Sequence, residues 1–163
     1  MSSLRELAIK KNLKLALAES LTGGMVSAAI VAEAGASDFF LGSVVSYQDS
    51  VKVGILGVSP STLASQTAVD PEVAIQMAQG VRAKLARHAL LDYDQVIGIS
   101  TTGVAGPDPV GDNPVGLVYF GVSSVRSEQV VVETFTGNRQ QIRQQACDRA
   151  LELIREQLTA ILG

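Results

Sequence analysis

Ser20 is the first residue of this chain placed to do covalent chemistry. It stands in Ala18-Glu19-Ser20-Leu21-Thr22-Gly23-Gly24, where an apolar run gives way to a glycine pair and then to an Ala/Val/Ile-rich segment. That order reads as strand, turn, helix. In open α/β sheets, ligands bind at the carboxyl ends of strands. A serine there lies beside the N–H groups that open the next helix, and such groups can stabilise an oxyanion. Thr22, Gly23 and Gly24 are expected to line the site, with the glycines letting a ligand approach the backbone. The same residues also make an ordinary capped turn, because Ser and Thr are favoured N-caps. Neither the phosphate-binding loop nor the dinucleotide glycine spacing is present.

Lys52 is the second candidate. It follows Tyr47 by five residues in Ser46-Tyr47-Gln48-Asp49-Ser50-Val51-Lys52. If the first two strands are parallel, Tyr47 ends the second at the sheet edge where Ser20 lies. Lys52 is then expected in the first turn of the next helix, where the positive helix end and burial lower its pKa. A serine nucleophile needs a base, and a lysine serves only when neutral. Asp49 opposes this by favouring the ammonium. A solvated surface lysine is the competing reading.

Two arginines open the last helix in Asn138-Arg139-Gln140-Gln141-Ile142-Arg143, where the helix dipole favours acids. Arg139 and Arg143 are four apart and share a face. Together with N-terminal amides they would hold a monophosphate; the alternative is two solvent-facing arginines paired elsewhere. The stretch 101–116 is rich in Gly, Pro and Asp and reads as a long loop, and long loops are usually functional. Thr102, Gly103, Ala105 and Gly106 are expected to wrap a ribose or phosphate through backbone amides. Ser37 is kept as a further lining candidate because it precedes the second strand. His88 and Cys147 read as a helix-end residue and a core residue.

The elements that must position these residues alternate. A short helix near Leu4 is followed by a strand over Lys14 to Glu19 and an apolar helix over Gly24 to Ala34, expected to be buried all round. A strand spans Gly42 to Tyr47, and a short helix ends at Gly57. Ser59 or Ser61 begins another short helix. Asp70-Pro71-Glu72 starts a long helix to about His88. Strands follow over Gln95 to Ile99, Val115 to Ser123 and Gln129 to Phe135, the last two as an antiparallel pair. The final helix carries an apolar stripe of Ile142, Ala146, Ala150, Leu153, Ile154, Leu158 and Ile161. A single α/β domain over residues 1–163 follows: a three-layer α/β/α sandwich on a mixed, mostly parallel sheet.

Composition narrows the function. The 163 residues carry a formal net charge of −3, with 47% hydrophobic and 18% charged residues. A chain so acidic does not suit broad nucleic-acid binding. No apolar run reaches the roughly 18 residues of a membrane helix. The single cysteine and the broken apolar pattern at the N-terminus make the cytoplasm the expected compartment. No His/Cys/Asp cluster has metal-ligand spacing, so no metal or cofactor is expected.

Taken together, the stretch Ala18 to Gly24, the stretch Tyr47 to Lys52, and Thr101-Thr102-Gly103-Val104-Ala105-Gly106-Pro107 resemble the CinA C-terminal domain family. Pro114-Val115-Gly116, and Gly137-Asn138-Arg139 with Arg143, match as well. The resemblance runs from about Leu4 to Leu158. Its stand-alone members include nicotinamide-nucleotide amidases, so it implies deamidation of nicotinamide mononucleotide by a Ser–Lys dyad assisted by a tyrosine. On that reading Ser20 is the nucleophile, Lys52 the base and Tyr47 the assistant. The loop Asp108 to Asn113 is less glycine-rich than is usual in the family. The partner implied is a small-molecule nucleotide, with neither nucleic acid nor membrane; the apolar helices suit a homodimer. The rival reading is a nucleotide-binding module without turnover.

Overall fold

A computed structural model describes residues 2–160 of the chain. α1 (Leu4–Lys10) starts on a capping box in which the Ser3 hydroxyl accepts from the Glu6 amide and the Glu6 carboxylate accepts from the Ser3 amide. β1 (Lys14–Glu19) leads through the Ser20 turn into α2 (Met25–Val31), and β2 (Phe40–Val45) follows. α3 (Asp49–Val51) continues as one π-helical turn, Lys52–Leu56. Next come α4 (Pro60–Gln66) and α5 (Pro71–His88). β3 (Val96–Gly103), β4 (Leu117–Ser123), β5 (Glu128–Thr134) and α6 (Arg139–Ala160) complete the order.

The strands form one sheet in the order β2-β1-β3-β4-β5. β1 pairs in parallel with both β2 and β3, while β4 runs antiparallel to β3 and β5. The sheet is therefore mixed, with only β4 reversed. The pleat sends alternate residues of β1 to opposite faces. Leu15 and Leu17 join Ile97, Ile99, Val118 and Phe120 under α1, α2 and α6. Ala16 and Ala18 face the other way, toward Val73, Met77 and Val81 of α5. Burying each Val, Leu, Ile, Phe or Met side chain of these layers contributes about 1.5–3 kcal/mol, so both layers are held by apolar burial. α5 lies close on the sheet: a Cβ at Gly98 would sit 2.3 Å from the Ala78 carbonyl oxygen, and one at Gly121 would sit 2.2 Å from that of Ala74.

Several boundaries differ from the sequence reading. β2 begins two residues early and ends at Val45, so Tyr47 lies beyond the strand. β3 runs through Thr101 and Thr102 to Gly103, which shortens the long loop. The polar residues of this strand are buried with internal partners: Ser100 Oγ donates to Ala74 O at 2.6 Å, and Thr102 Oγ1 to Ala68 O at 2.6 Å. α2 is not buried all round; Val26 and Ile30 enter the core, whereas Ala28, Ala29 and Val31 face solvent. The stripe of α6 is buried from Ile142 to Leu158, and Ile161 lies outside the described residues. Among the described residues no helix is long and apolar enough to cross a membrane.

Candidate functional site

The carboxyl ends of β1 and β3 open onto a cavity of about 260 Å³. Parallel pairing sets Glu19 beside Val45 and beside Thr101, so the chain leaves β1, β2 and β3 at one edge. Ser20 and Leu21 come from the β1 turn, Tyr47 and Lys52 from the segment after β2, and Thr102 through Gly106 from the end of β3. Arg139 reaches in from the start of α6. Ala68 and Val69 close one wall, and Asp108 and Val110 another.

Lys52 has 1% of its surface exposed. Its ammonium donates to Ser46 O at 2.8 Å, to Tyr47 O at 3.3 Å and to Asp49 Oδ1 at 3.4 Å. Burial pushes its pKa below the ordinary lysine value; the charges of Asp49 and Tyr47 and the Asp49 hydrogen bond pull the other way. Three acceptors satisfy the three protons of the charged form. Losing a proton frees the most easily surrendered contact, the longest one, to the exposed Asp49. Tyr47 links Lys52 to Arg139: its carbonyl accepts from Lys52, and its hydroxyl accepts from Arg139 Nη2 at 3.0 Å. The other end of that guanidinium donates to Gly106 O at 2.6 Å, which ties α6 to the loop after β3.

The family model for the CinA C-terminal domain matches residues 1–158. This chain belongs to the CinA C-terminal domain family. A relative from Moorella thermoacetica, named as a competence-damage inducible protein, is 42% identical over 151 residues, which are 92% of this chain and 34% of that protein. A CinA-like protein from Acidobacterium capsulatum is 38% identical over 145 residues, 88% of this chain and 33% of its own length. The chain thus spans about a third of the length of the curated relatives it matches. Among solved structures, the CinA superfamily protein from Enterobacter cloacae superposes with a TM-score of 0.80 at 32% identity, covering 96% of this chain and 93% of its own. The competence damage-inducible protein A from Klebsiella pneumoniae gives 0.82 at 29% identity, with coverage of 97% and 98%.

Within this CinA domain, eight of the residues singled out from sequence share the cavity: Ser20, Tyr47, Lys52, Thr102, Gly103, Ala105, Gly106 and Arg139. The others do not line it. Ser37 sits in the 3₁₀ turn Ala36–Asp38 before β2. That is the opposite end of the sheet, where Leu15 N donates to Phe39 O. Thr22 is fully buried, with its Oγ1 2.8 Å from that of Thr101. The Gly24 amide is taken by Glu19 Oε2 at 2.9 Å and the Gly23 amide by Ser20 O at 3.1 Å, so neither is a free oxyanion donor. Arg143 is also engaged: its Nε donates to Leu21 O at 2.8 Å and its Nη2 to Thr22 O at 3.2 Å. Arg139 alone of the two arginines reaches the cavity.

Sequence reasoning passed over Glu19 and Asn113. Glu19 ends an otherwise apolar run, and that misplaced acid was the available signal. Asn113 Nδ2 donates to Val69 O at 3.0 Å and to Thr67 Oγ1 at 3.4 Å, which holds the wall at Ala68 and Val69. Thr67 itself has φ 97° and ψ 170°, a backbone region that costs about 1–3 kcal/mol for a residue with a side chain. Nothing in the sequence advertised the Asn113 contacts or the Thr67 conformation.

Proposed function

We propose that this chain hydrolyses the carboxamide of nicotinamide mononucleotide to nicotinic acid mononucleotide and ammonia. The observation that carries this reading is that Ser20, Tyr47, Lys52 and Arg139 line one cavity. Ser20 Oγ makes no hydrogen bond to a protein group among the described residues, which leaves it free for a substrate carbonyl. In its neutral form, Lys52 takes the Ser20 proton as the oxygen attacks the carboxamide carbon. The C–N bond then breaks, the lysine proton leaves with ammonia, and an ester to Ser20 remains. A water attacks that ester and gives a proton to Lys52, which passes it to the Ser20 oxygen as the ester C–O bond breaks; the acid released loses its remaining proton to solvent as the carboxylate. A phosphate on the substrate would pair with Arg139, whose guanidinium carries charge to the exposed rim. At about 260 Å³ the cavity lies just below the usual ~300–1,000 Å³ of small-ligand sites, which suits a mononucleotide better than a dinucleotide.

The second reading is a nucleotide-binding module without turnover. It is favoured by one observation: all three Lys52 protons have acceptors and none of these is Ser20. Unliganded catalytic contacts often tighten only with substrate bound, so that geometry does not exclude the amidase reading. Ammonia release from nicotinamide mononucleotide, nicotinamide riboside and free nicotinamide separates the readings. The amidase reading expects turnover of the mononucleotide. Tight binding of all three without ammonia would leave the binding module.

A further inference from the structure

The turn that carries Ser20 is held from both sides. On one side the Glu19 carboxylate, buried with 1% of the residue exposed, takes four donors. Oε2 accepts from Gly24 N at 2.9 Å and from Val26 N at 3.2 Å; Oε1 accepts from Ser27 N at 2.9 Å and from the Ser27 hydroxyl. On the other side Arg143 spans the carbonyls of Leu21 and Thr22. Ser20 itself is fixed through its amide, which donates to Thr101 O at 2.9 Å, and through its carbonyl, which accepts from Gly23 N. Charge-assisted hydrogen bonds of this kind are roughly twice as strong as neutral ones. Arg139 and Arg143 lie one helical turn apart, so α6 presents one guanidinium to the cavity and the next to the turn behind it.

Among the described residues, the Leu21 and Thr22 amides donate to no protein acceptor, although both residues are buried; of the two, Leu21 lines the cavity. A buried N–H without a partner is costly, and Leu21 is part of the cavity wall beside Ser20. We infer that Arg143 and Glu19 are positioning residues that clamp the Ser20–Gly24 turn, and that the Leu21 N–H is the donor this clamp holds ready for the oxyanion. The inference rests on the reading of Ser20 as nucleophile. It also explains an arginine in the second turn of α6 without assigning it to phosphate: its ligands are carbonyl oxygens. Removing Arg143 releases the turn, so the nucleophile and the donor lose their mutual geometry while the cavity keeps its cation at Arg139.

The test compares wild type with Arg143→Gln and, as a second variant, Arg143→Lys, which keeps charge but cannot fork across two carbonyls. Three readouts are taken: kcat and KM with nicotinamide mononucleotide, the rate of Ser20 labelling by a fluorophosphonate, and amide hydrogen exchange over residues 20–27. Clamping predicts that kcat and the labelling rate fall about tenfold to a hundredfold. KM should stay within about threefold, and exchange over residues 20–27 should quicken. A KM rise for the mononucleotide with kcat and labelling unchanged would make Arg143 a phosphate ligand and overturn the inference. Unchanged exchange and labelling would overturn it as well. If wild type labels at Ser20 but does not turn over the mononucleotide, the substrate proposal fails; labelling and exchange still decide the clamp.

Discussion

Lys52 and Ser46 are joined across the turn between β2 and α3: the lysine Nζ donates to the Ser46 carbonyl oxygen at 2.8 Å from a position with 1% of its surface exposed. A lysine this buried is either a poised base or a fixed charge, and substitution separates the two. Arginine keeps the charge but cannot accept a proton near neutrality. Lys52→Arg is therefore expected to be as inactive as Lys52→Ala. The pH profile of kcat/KM in wild type should show an ionisation below the ordinary lysine value, absent from both variants. Substantial activity in Lys52→Arg would reduce the lysine to a charge in the cavity and move the search for a base to Tyr47.

The same burial has a signature in stability. A folded-state pKa lowered below the unfolded value means that the unfolded chain binds more protons between the two values. In that window the stability contributed by this group rises with pH, and the cost of burying the ammonium is greatest below the folded pKa. Relative to wild type, Lys52→Met should look best near neutral pH and lose ground as pH climbs toward the unfolded lysine value. Denaturant midpoints at several pH values measure this. A wild-type-to-variant difference that is constant with pH would mean that Lys52 titrates normally.

Arg139 and Arg143 separate cleanly by ligand. Arg139 lines the cavity and holds the Tyr47 hydroxyl, so Arg139→Ala should raise KM for nicotinamide mononucleotide about tenfold to a hundredfold, as expected for losing a charge-assisted contact. Nicotinamide riboside, which has no phosphate, should show a much smaller KM change. Isothermal titration with both ligands and an Arg139→Ala/Ser20→Ala double variant isolates binding from turnover. Equal losses for the two ligands would assign Arg139 to holding Tyr47 rather than phosphate.

Cys147 is expected to be inert. It is buried in α6, and burial together with Asp148 and Glu19 pushes its thiol up to about 11. The thiolate is the reactive form, so disulfide-exchange reagents at pH 8 should modify the native chain slowly and the urea-unfolded chain at once. Fast native reaction would mean that the helix opens locally.

Periodicity and caps carried much of the fold. The alternating Lys14–Glu19 run read correctly as β1, because Leu15 and Leu17 face one layer and Ala16 and Ala18 the other. The Asp70-Pro71 start placed α5, and its Asp70 side chain does accept from Glu72 N at 2.7 Å. The end of β3 was not legible. Ser100, Thr101 and Thr102 look like loop residues, and their hydroxyls are satisfied by partners remote in sequence. The Arg143 contacts were hidden for the same reason: its acceptor Leu21 O is 122 residues away, so only the fold could show that this carbonyl takes its guanidinium. Glu19 hid its role because a buried acid capping amides downstream has no periodic signature. Ser37 was misplaced because its turn precedes β2, and the start of a parallel strand lies at the far end of the sheet from the site.

The most direct measurement is the appearance of nicotinic acid mononucleotide from nicotinamide mononucleotide with purified wild type and Ser20→Ala, followed by chromatography alongside ammonia. Wild type is predicted to form both products in equal amounts. Ser20→Ala is predicted to form them at least about a thousandfold more slowly, since an essential nucleophile typically costs far more than a single contact, while still binding the substrate. Product formation by Ser20→Ala within about tenfold of wild type, or none by wild type, would contradict hydrolysis through Ser20.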